Sequence, residues 1–320
     1  MSRWIAWTIA ALLSSSVAWA QPYPVKPIRL VAPSTPGDAP DVIARLIADK
    51  LSPVLGQQVV VENRPGAGGV VGSDYVAKAL PDGYTLIMGN AGSHGINAAV
   101  YSKLPYDIQK DFAPVSQVAV APNVMVINPS VPANSVSEFI AYAKANPGKL
   151  SYASGGNGSS AHMSMELFKS MSGIDIQHVP YKGSSPALTD VVSGQVVAFI
   201  GNMPPTVPLI KAGKLKALAV TTKSRSALMP ELPTITEAGL PGFETVAWFG
   251  VLAPAGTPPE IVNRLSAEIA KIAKSPEMRE KLVAMGAEPV GSTPDEFKAV
   301  IDRDIAKWKP LAQKVGIKID

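Results

Sequence analysis

Two short loops in this sequence combine small residues with polar side chains, a composition suited to anion binding. "LVAPSTPGDAPDV" leaves an apolar run at Ser34 and resumes at helical spacing after Asp38, and "SYASGGNGSSAHMSMEL" does the same between Ser154 and Ser160. The first turn of a helix offers unpaired N–H groups and the positive end of the helix dipole. Each loop therefore predicts a cradle for a small anion, although the carboxylate of Asp38 would repel one.

Asp38 itself has two interpretations. Its spacing fits the N-cap of the following helix, with Asp41 three residues later in a capping-box-like position, and such caps contribute about 1 kcal/mol. Alternatively, Asp38 faces a ligand and accepts from an ammonium or another donor group, which would favour an amino acid or an amide over a simple polycarboxylate. The sequence leaves both open, and the spacing favours the cap.

A competing chemistry is suggested by "NAGSHG", which places Ser93 after an apolar strand in an arrangement close to the nucleophile elbow of α/β-hydrolases. That fold requires a histidine late in the chain to act as the base. The histidines are His94, His162 and His178, and the sequence after His178 contains none. A periplasmic serine hydrolase or esterase that uses Ser93 therefore stands as the alternative function.

Other chemical motifs are incomplete. "ENRPGAGGVVG" follows a strand, but the third glycine of a dinucleotide-binding loop falls on Val71, so we predict no cofactor. His162 and Glu166 share a helix face, yet no third ligand stands at metal-site spacing, so we predict no metal. Lys182 in "VPYKGSSPAL" is a candidate for attracting an anion, although a lysine in a loop is usually solvated.

Composition and the N-terminus indicate where the protein works. The chain has 320 residues, a formal net charge of +4 without a basic block, and no cysteine, which argues against nucleic-acid binding and excludes disulfides. "MSRWIAWTIAALLSSSVAWAQ" has the basic start, apolar segment and small-x-small ending of a signal peptide. We predict cleavage after Ala20 and a free periplasmic protein.

The rest of the chain alternates strand-like and helix-like segments, which is typical of an α/β protein with mainly parallel sheets. One unit starts at "IRLVAP", and a second starts after "VSQVAVAPNVMVINPS". Apolar segments at 118–128 and 245–254 are predicted to cross between the units. The predicted division is a signal peptide over 1–20, a first α/β lobe over 21–124 plus 245–320, and a second over 125–244.

With these elements in place, the chain resembles the Bug family of periplasmic receptors of tripartite tricarboxylate transporters along nearly its whole mature length. The resemblance rests on many stretches together, among them "YPVKPIRLVAP", "PGDAPDVIARLIADKL", "VVVENRPGAGG", "AKALPDGYTL", "GSHGINAAVY", "VPYKGSSPALTDVVSGQV" and "LAPAGTPP". It implies an α/β, two-lobed periplasmic binding protein of the Venus-flytrap, type II-like architecture, with two interdomain crossings. Such a monomeric receptor, which is not an enzyme, would bind a small carboxylate or amino-acid-like ligand and deliver it to membrane permease subunits.

The resemblance also predicts which residues line the cleft. They come from the two loops already described, from "GNAGSHG" and from polar residues at neighbouring strand ends: Ser34, Thr35, Pro36, Gly37, Asp38, Asn90, Ser93, His94, Ser154, Gly155, Gly156, Asn157, Gly158, Ser159, Ser160, His162, Tyr181 and Asn202. Two positions depart from the family pattern, which has an aromatic residue at Ser34 and a glycine at Asp38. The first change should widen or wet the pocket, and the second places a carboxylate beside the amides that hold the anion.

Overall fold

A computed structural model describes residues 23–314 and 316–319 of the chain. The predicted signal peptide and its cleavage site lie outside the described residues. Within the described part, no helix combines the length and the apolar character needed to cross a membrane.

The chain begins with a wound β/α unit. Strand β1 (Ile28–Ala32) pairs in parallel with β2 (Val59–Asn63) on one side and β3 (Thr85–Asn90) on the other. Helix α1 (Ala39–Leu55) connects the first two strands, and a 3₁₀ turn followed by α2 (Val70–Ala77) connects the next two. This arrangement confirms the predicted α/β character of the N-terminal part and brings the loops after β1 and β3 to one end of the sheet.

After β3, a turn and the short helix α3 (Asn97–Val100) lead to a long strand that joins the two lobes. Strand β4 (Phe112–Ile127) has 16 residues and changes partners between Pro122 and Asn123. Before that point it pairs antiparallel with β9 (Val246–Pro254), and after it with β7 (Ala198–Asn202) and β8 (Lys216–Val220). The first crossing therefore lies inside the predicted segment 118–128.

The second lobe repeats the strand–helix alternation. Its elements in chain order are α4 (Val136–Ala145), β5 (Ser151–Ser154), α5 (Ser160–Ser172), β6 (Gln177–Pro180), α6 (Ser184–Ser193), β7, α7 (Met203–Lys211) and β8. Strand β5 pairs in parallel with both β6 and β7, so the loops that precede α5 and α6 lie at the same sheet edge. The core beneath them contains the buried side chains of Phe139, Phe168 and Phe243.

The second crossing is shorter than predicted. Segment 245–254 is mostly strand β9, which lies inside the first sheet between β3 and β4, because each of its residues pairs with one or both of them. The chain crosses at the start of this segment, where the N–H of Thr245 donates to the carbonyl of Thr221 at 3.0 Å and the N–H of Thr221 donates to that of Asn123. The division of the chain at residues 124 and 245 stays a prediction.

The C-terminal segment returns to the first lobe as α8 (Pro259–Ala273), α9 (Pro276–Ala284), the short strand β10 (Glu288–Pro289) and α10 (Pro294–Lys314). Asp304 on α10 accepts hydrogen bonds from the indole N–H groups of Trp248 and Trp308, each at 2.9 Å. Burial raises the pKa of Asp304 to about 6. A Cβ at Gly95 would overlap this carboxylate, so α10 packs directly on the turn that follows β3.

Candidate ligand-binding site

The loops of both lobes meet around a cavity of about 50 Å³, which is room for a few waters or a small ligand. The first lobe contributes residues from the loops after β1, β2 and β3: Pro33, Ser34, Asp38, Pro40, Gly66, Gly68, Gly69 and Asn90. The second lobe contributes the starts of α5, α6 and α7: Gly155, Ser159, Ser160, Ala161, Lys182, Gly183, Ser184 and Asn202. The cavity therefore lies beyond the carboxyl ends of the strands, where ligands bind in α/β folds.

The two lobes touch directly around the cavity. Gly68 has φ of +60° and packs so closely on the second lobe that an added Cβ would overlap the carbonyl oxygen of Asn157. The hydroxyl of Ser185 donates to the carbonyl of Pro36 at 3.2 Å across the cleft. These contacts describe a closed arrangement of the lobes.

Asp38 bonds to both lobes. It occupies the N-cap position of α1, where its Oδ1 accepts from the N–H of Ala39 at 2.9 Å. Its Oδ2 accepts from the N–H of Ser184, the first residue of α6, at 3.0 Å. The residue is 5% exposed. Burial raises the pKa of Asp38 above its ordinary value, and the hydrogen bonds from Ser184 and Ala39 oppose that rise.

Asp41 holds the loop that carries Asp38. Its Oδ2 accepts from the N–H of Gly37 at 2.8 Å, one residue earlier than a capping box would place the bond. Its Oδ1 accepts from the side chains of Arg45 and Asn63. Burial alone would raise the pKa of Asp41, but the hydrogen bonds from Arg45, Gly37 and Asn63 lower it. Asp41 therefore fixes the loop, whereas Asp38 faces the cavity.

Helix α5 offers its N-terminus to the same cavity. The hydroxyl of Ser159 caps the helix by accepting from the N–H of His162 at 3.2 Å. Ser160 and Ala161 occupy the first two helical positions, whose N–H groups have no partner inside the helix. The Ser160 hydroxyl is bonded to the side chain of Asn123, on the crossing strand β4. The start of α5 is thus held in place while its backbone donors stay directed at the cavity.

Three polar side chains complete the wall. The Ser34 hydroxyl lies on a residue only 6% exposed and has no hydrogen-bond partner in the described part of the chain. The Oδ1 of Asn202 is likewise buried without a partner among the residues described. The Oδ1 of Asn90 accepts from the N–H groups of Gly92 and Ser93, which leaves the Asn90 amine as a donor. Buried polar groups without protein partners are expected where a ligand or water supplies the missing bonds.

The Ser93 and His94 pair does not fit the predicted hydrolase. The Ser93 Oγ lies 2.8 Å from the His94 Nδ1, but both residues are fully buried. The Nε2 of His94 has no partner among the described residues, so no carboxylate orients the ring. Burial lowers the pKa of His94 to about 3, which makes the imidazole a poor proton acceptor at neutral pH. The pair packs behind the cavity, where the ring of His94 meets that of Phe112 edge-on.

A stack of aromatic rings supports the loop between β5 and α5. His178 stacks on His162 at 4.1 Å and on Tyr152 at 4.8 Å, and its Nε2 lies 2.6 Å from the Ser154 hydroxyl. The Nδ1 of His162 accepts from the N–H of Gly158 at 3.2 Å. Burial, followed by repulsion from Lys169, lowers the pKa of His162 to about 4. Both histidines therefore serve as neutral supports of the loop rather than as wall residues.

His162 and Glu166, which share a face of α5, are both bonded to other protein groups. Glu166 Oε1 accepts from the Tyr152 hydroxyl at 2.5 Å and from Lys169 at 2.8 Å. Among the described residues, no group of three or more His, Cys, Asp or Glu side chains could hold a metal ion.

The cavity wall includes part of the predicted set, namely Ser34, Asp38, Asn90, Gly155, Ser159, Ser160 and Asn202. The other predicted residues lie beside or behind it in this arrangement: Thr35, Pro36, Gly37, Ser93, His94, Ser154, Gly156, Asn157, Gly158, His162 and Tyr181. Tyr181, for example, donates to Asp190 on α6 at 2.5 Å. The cavity wall also includes Lys182, which the sequence offered as a candidate for attracting an anion, and residues outside the predicted set, among them Gly183, Ser184 and the glycines of the loop after β2. The stretches "ENRPGAGG" and "YKGSS" have the composition of a close backbone approach, which is the signal that could have identified them.

Comparison with known proteins agrees with this geometry. Residues 43–317 match the model of the tripartite tricarboxylate transporter family receptor. BugT of Bordetella pertussis is 40% identical over 301 residues, which covers 94% of this chain and 92% of BugT. Two solved structures are similar over nearly their whole length. Rpa4515 of R. palustris with adipate has a TM-score of 0.91 and 44% identity, covering 92% of this chain and 99% of that one.

The second structure, MatC from Rhodopseudomonas palustris with bound malate, has a TM-score of 0.87 and 35% identity, covering 90% of this chain and 99% of that one. A family match over most of the chain, a relative at this identity and the two-lobed α/β architecture all agree. The chain therefore belongs to the Bug family of receptors of tripartite tricarboxylate transporters.

Proposed function

We propose that this protein is a periplasmic receptor that encloses a small organic carboxylate between its lobes and delivers it to the permease subunits of a tripartite tricarboxylate-type transporter. It would be exported by cleavage after Ala20 and would act as a monomer without a cofactor. The observation that carries the proposal is the cavity between the lobes, which combines the N-terminus of α5 with the unpartnered hydroxyl of Ser34.

The chemistry of the cavity suits one carboxylate. The N–H groups of Ser160 and Ala161 have the geometry of a helix N-terminus, where a negative charge gains typically 0.3–1 kcal/mol when exposed and up to about 2 kcal/mol when partly buried. Ser34 and the Asn90 amine add hydrogen-bond donors. Hydrogen bonds to a charged group contribute about 1.5–3 kcal/mol each. Carboxylates are also the ligands named for the adipate-bound and malate-bound relatives.

Binding would act through closure about the two crossings. The side-chain amide of Asn123 lies 3.1 Å from the hydroxyls of Ser160 and Ser164 and 3.3 Å from that of Thr245. This cluster joins both crossing segments to the first turns of α5. A ligand that contacts both lobes only when they are closed stabilises the closed state by that difference in contacts. The closed receptor would then be the form that the permease recognises.

The direct test is a binding assay with the mature protein. Calorimetry and thermal melts would use the dicarboxylates malonate, succinate, malate and adipate together with the monocarboxylates malonamate, succinamate, lactate and butyrate, with matching amines and sugars as controls. A carboxylate at 100 times its Kd should add about 2.7 kcal/mol of stability, which corresponds to a shift of about 5 °C. The ligand should be recovered unchanged by NMR.

The proposal fails if no carboxylate shifts the melting temperature of the folded protein. It also fails if the protein hydrolyses p-nitrophenyl acetate and the Ser93→Ala variant does not, because that pair of results would assign a catalytic role to Ser93.

A further inference from the structure

Four helices, α1, α5, α6 and α7, begin at the same cavity, and two of them share one side chain. The carboxylate of Asp38 receives the N–H of Ala39 at the start of α1 and the N–H of Ser184 at the start of α6. These two helices belong to different lobes. A carboxylate that bridges the lobes in this way has the hydrogen bonds that a bound anion would otherwise make.

The charge balance of the cavity follows from the same residue. Among the described wall residues, Asp38 and Lys182 are the charged ones, so the wall is neutral overall. Lys182 is exposed and keeps its ammonium hydrated, whereas Asp38 is 5% exposed and lies inside the cavity wall. A ligand with two carboxylates would bring its second charge to a wall that already holds a buried anion. Like charges a few ångströms apart in such a place repel strongly.

Hydrogen-bond acceptors in the cavity wall favour a ligand whose second end is a donor group rather than a carboxylate. Each oxygen of Asp38 accepts one N–H bond and can accept another, and the Oδ1 of Asn202 is buried without a partner in the part of the chain described. The Oδ1 of Asn202 lacks a donor, and the Asp38 carboxylate can accept a further one. An amide, ammonium or hydroxyl on the ligand supplies one, and a second carboxylate does not.

We propose that Asp38 is a specificity-determining residue, a built-in anion at the start of α6 that makes the receptor select ligands with one carboxylate and a hydrogen-bond donor at the other end over dicarboxylates. This inference rests on the proposed function and narrows its ligand class. The single ligand carboxylate goes to α5, whose first N–H groups remain available and whose start lines the same cavity as the 94% buried hydroxyl of Ser34, which has no partner among the described residues.

The test compares each diacid with its own monoamide, so that length and shape are constant and one carboxylate becomes a carboxamide. Calorimetry at pH 8 would measure malonate with malonamate, succinate with succinamate, and adipate with adipamate. We expect the wild type to bind the best-fitting monoamide at least tenfold more tightly than its diacid. Asp38→Gly removes the carboxylate, and glycine is a residue type that N-caps tolerate. This variant should bind the diacid more tightly than the monoamide.

Two further variants test whether the effect comes from the charge of Asp38 rather than from its shape or from the net charge of the protein. Asp38→Asn keeps the side-chain shape and should weaken the monoamide preference at least threefold, provided that circular dichroism shows a folded protein. Asp49→Asn removes a carboxylate from an exposed position on the same helix and should leave the preference unchanged.

The outcomes separate the two levels of the proposal. If the wild type prefers diacids, or if Asp38→Gly moves the ratio no more than Asp49→Asn does, the role of Asp38 is overturned while the receptor function stands. If the folded wild type and Asp38→Gly bind none of the six compounds, the carboxylate-receptor function fails, and the specificity inference fails with it.

Discussion

Helices α5 and α6 follow neighbouring strands of the same lobe and direct their N-termini at the same cavity. They differ in which groups accept hydrogen bonds from their first N–H groups. At α5 the side-chain cap seen among the described residues is Ser159, which accepts from the third residue of the helix, and the N–H groups of Ser160 and Ala161 remain. At α6 the N-cap residue is Gly183, which has no side chain to accept a hydrogen bond, and the carboxylate of Asp38 from the other lobe accepts instead.

The contrast shows how similar loops can have different tasks in one binding site. A helix start with open donors attracts a ligand anion, whereas a helix start that is already paired with a carboxylate repels one. The α5 side of the cavity, meaning the start of α5 and the loop before it, therefore provides affinity for a carboxylate. The α6 side, meaning the start of α6 with Asp38, provides selection between ligands and a contact that favours closure. The first prediction below disturbs both sides by blocking closure, and the later ones alter one side at a time.

The largest effect should come from blocking closure over the α5 loop with Gly68→Ala. The added methyl group would overlap the carbonyl of Asn157 and hold the lobes apart. We expect carboxylate binding to weaken at least 100-fold by calorimetry. Gly56→Ala is the matched control, because Gly56 has a similar φ of +68° but open space around its Cβ position. Both variants should lose about 1–2 kcal/mol of stability to backbone strain, but only Gly68→Ala should lose affinity.

Removing the hydroxyl of Ser34 should lower the affinity for a carboxylate without lowering the stability of the fold. This hydroxyl is buried without a partner in the described structure, so Ser34→Ala should leave the free energy of unfolding unchanged or slightly higher. Loss of a hydrogen bond to a charged ligand should weaken carboxylate binding about tenfold or more. Urea unfolding and calorimetry on the same preparation would check both. Lower stability with unchanged affinity would show that Ser34 has a structural role instead.

Acid should weaken the α5 side through His162. Its pKa is about 4 in the folded protein against about 6.5 in the unfolded chain, so the unfolded chain binds more protons between these values. This contribution to stability is complete above pH 6.5 and falls as the pH is lowered through that window, by about 2 kcal/mol at pH 5.

The variant His162→Asn offers an oxygen to the N–H of Gly158 but does not titrate. We expect the wild type to lose about 2 kcal/mol more than this variant between pH 7.5 and pH 5, measured by urea unfolding. Equal losses in the two proteins would exclude His162 as the source of acid sensitivity.

The smallest effect should come from the second contact across the cleft near α6. Ser185 donates to the carbonyl of Pro36 at the protein surface, where a hydrogen bond contributes about 0.5 kcal/mol. Ser185→Ala should therefore weaken binding about twofold. Ser193→Ala removes a hydroxyl that donates to the carbonyl of Asp190 on the same helix, away from the cleft, and should have no effect on binding. A larger loss in Ser185→Ala than in Gly68→Ala would invert the proposed ranking.

Local patterns in the sequence predicted much of the fold and part of the site. The apolar spacing of α1 and the serines before α5 predicted a helix start at each loop, and the N-cap position of Asp38 agreed with its spacing. The placement of segment 245–254 was less accurate. An apolar strand has the same sequence pattern whether it crosses between lobes or lies within one sheet.

What the sequence could not supply was contact between distant residues. The bond from Ser184 to Asp38 joins positions 146 residues apart, and its existence depends on how the two lobes close. The burial of Ser93 and His94 depends on α10, whose residues pack on the turn only after the C-terminal segment has returned to the first lobe. Neither arrangement leaves a local periodic signal.

The most direct test of this account is a crystal structure of the protein with succinamate, a ligand whose two ends have nearly the same shape but differ in charge and in hydrogen-bond donors. We predict that its carboxylate accepts from the N–H groups of Ser160 and Ala161, while its amide faces an Asp38 that still bonds to Ser184. A carboxylate bound at Ser184, with Asp38 displaced from the start of α6, would contradict the account.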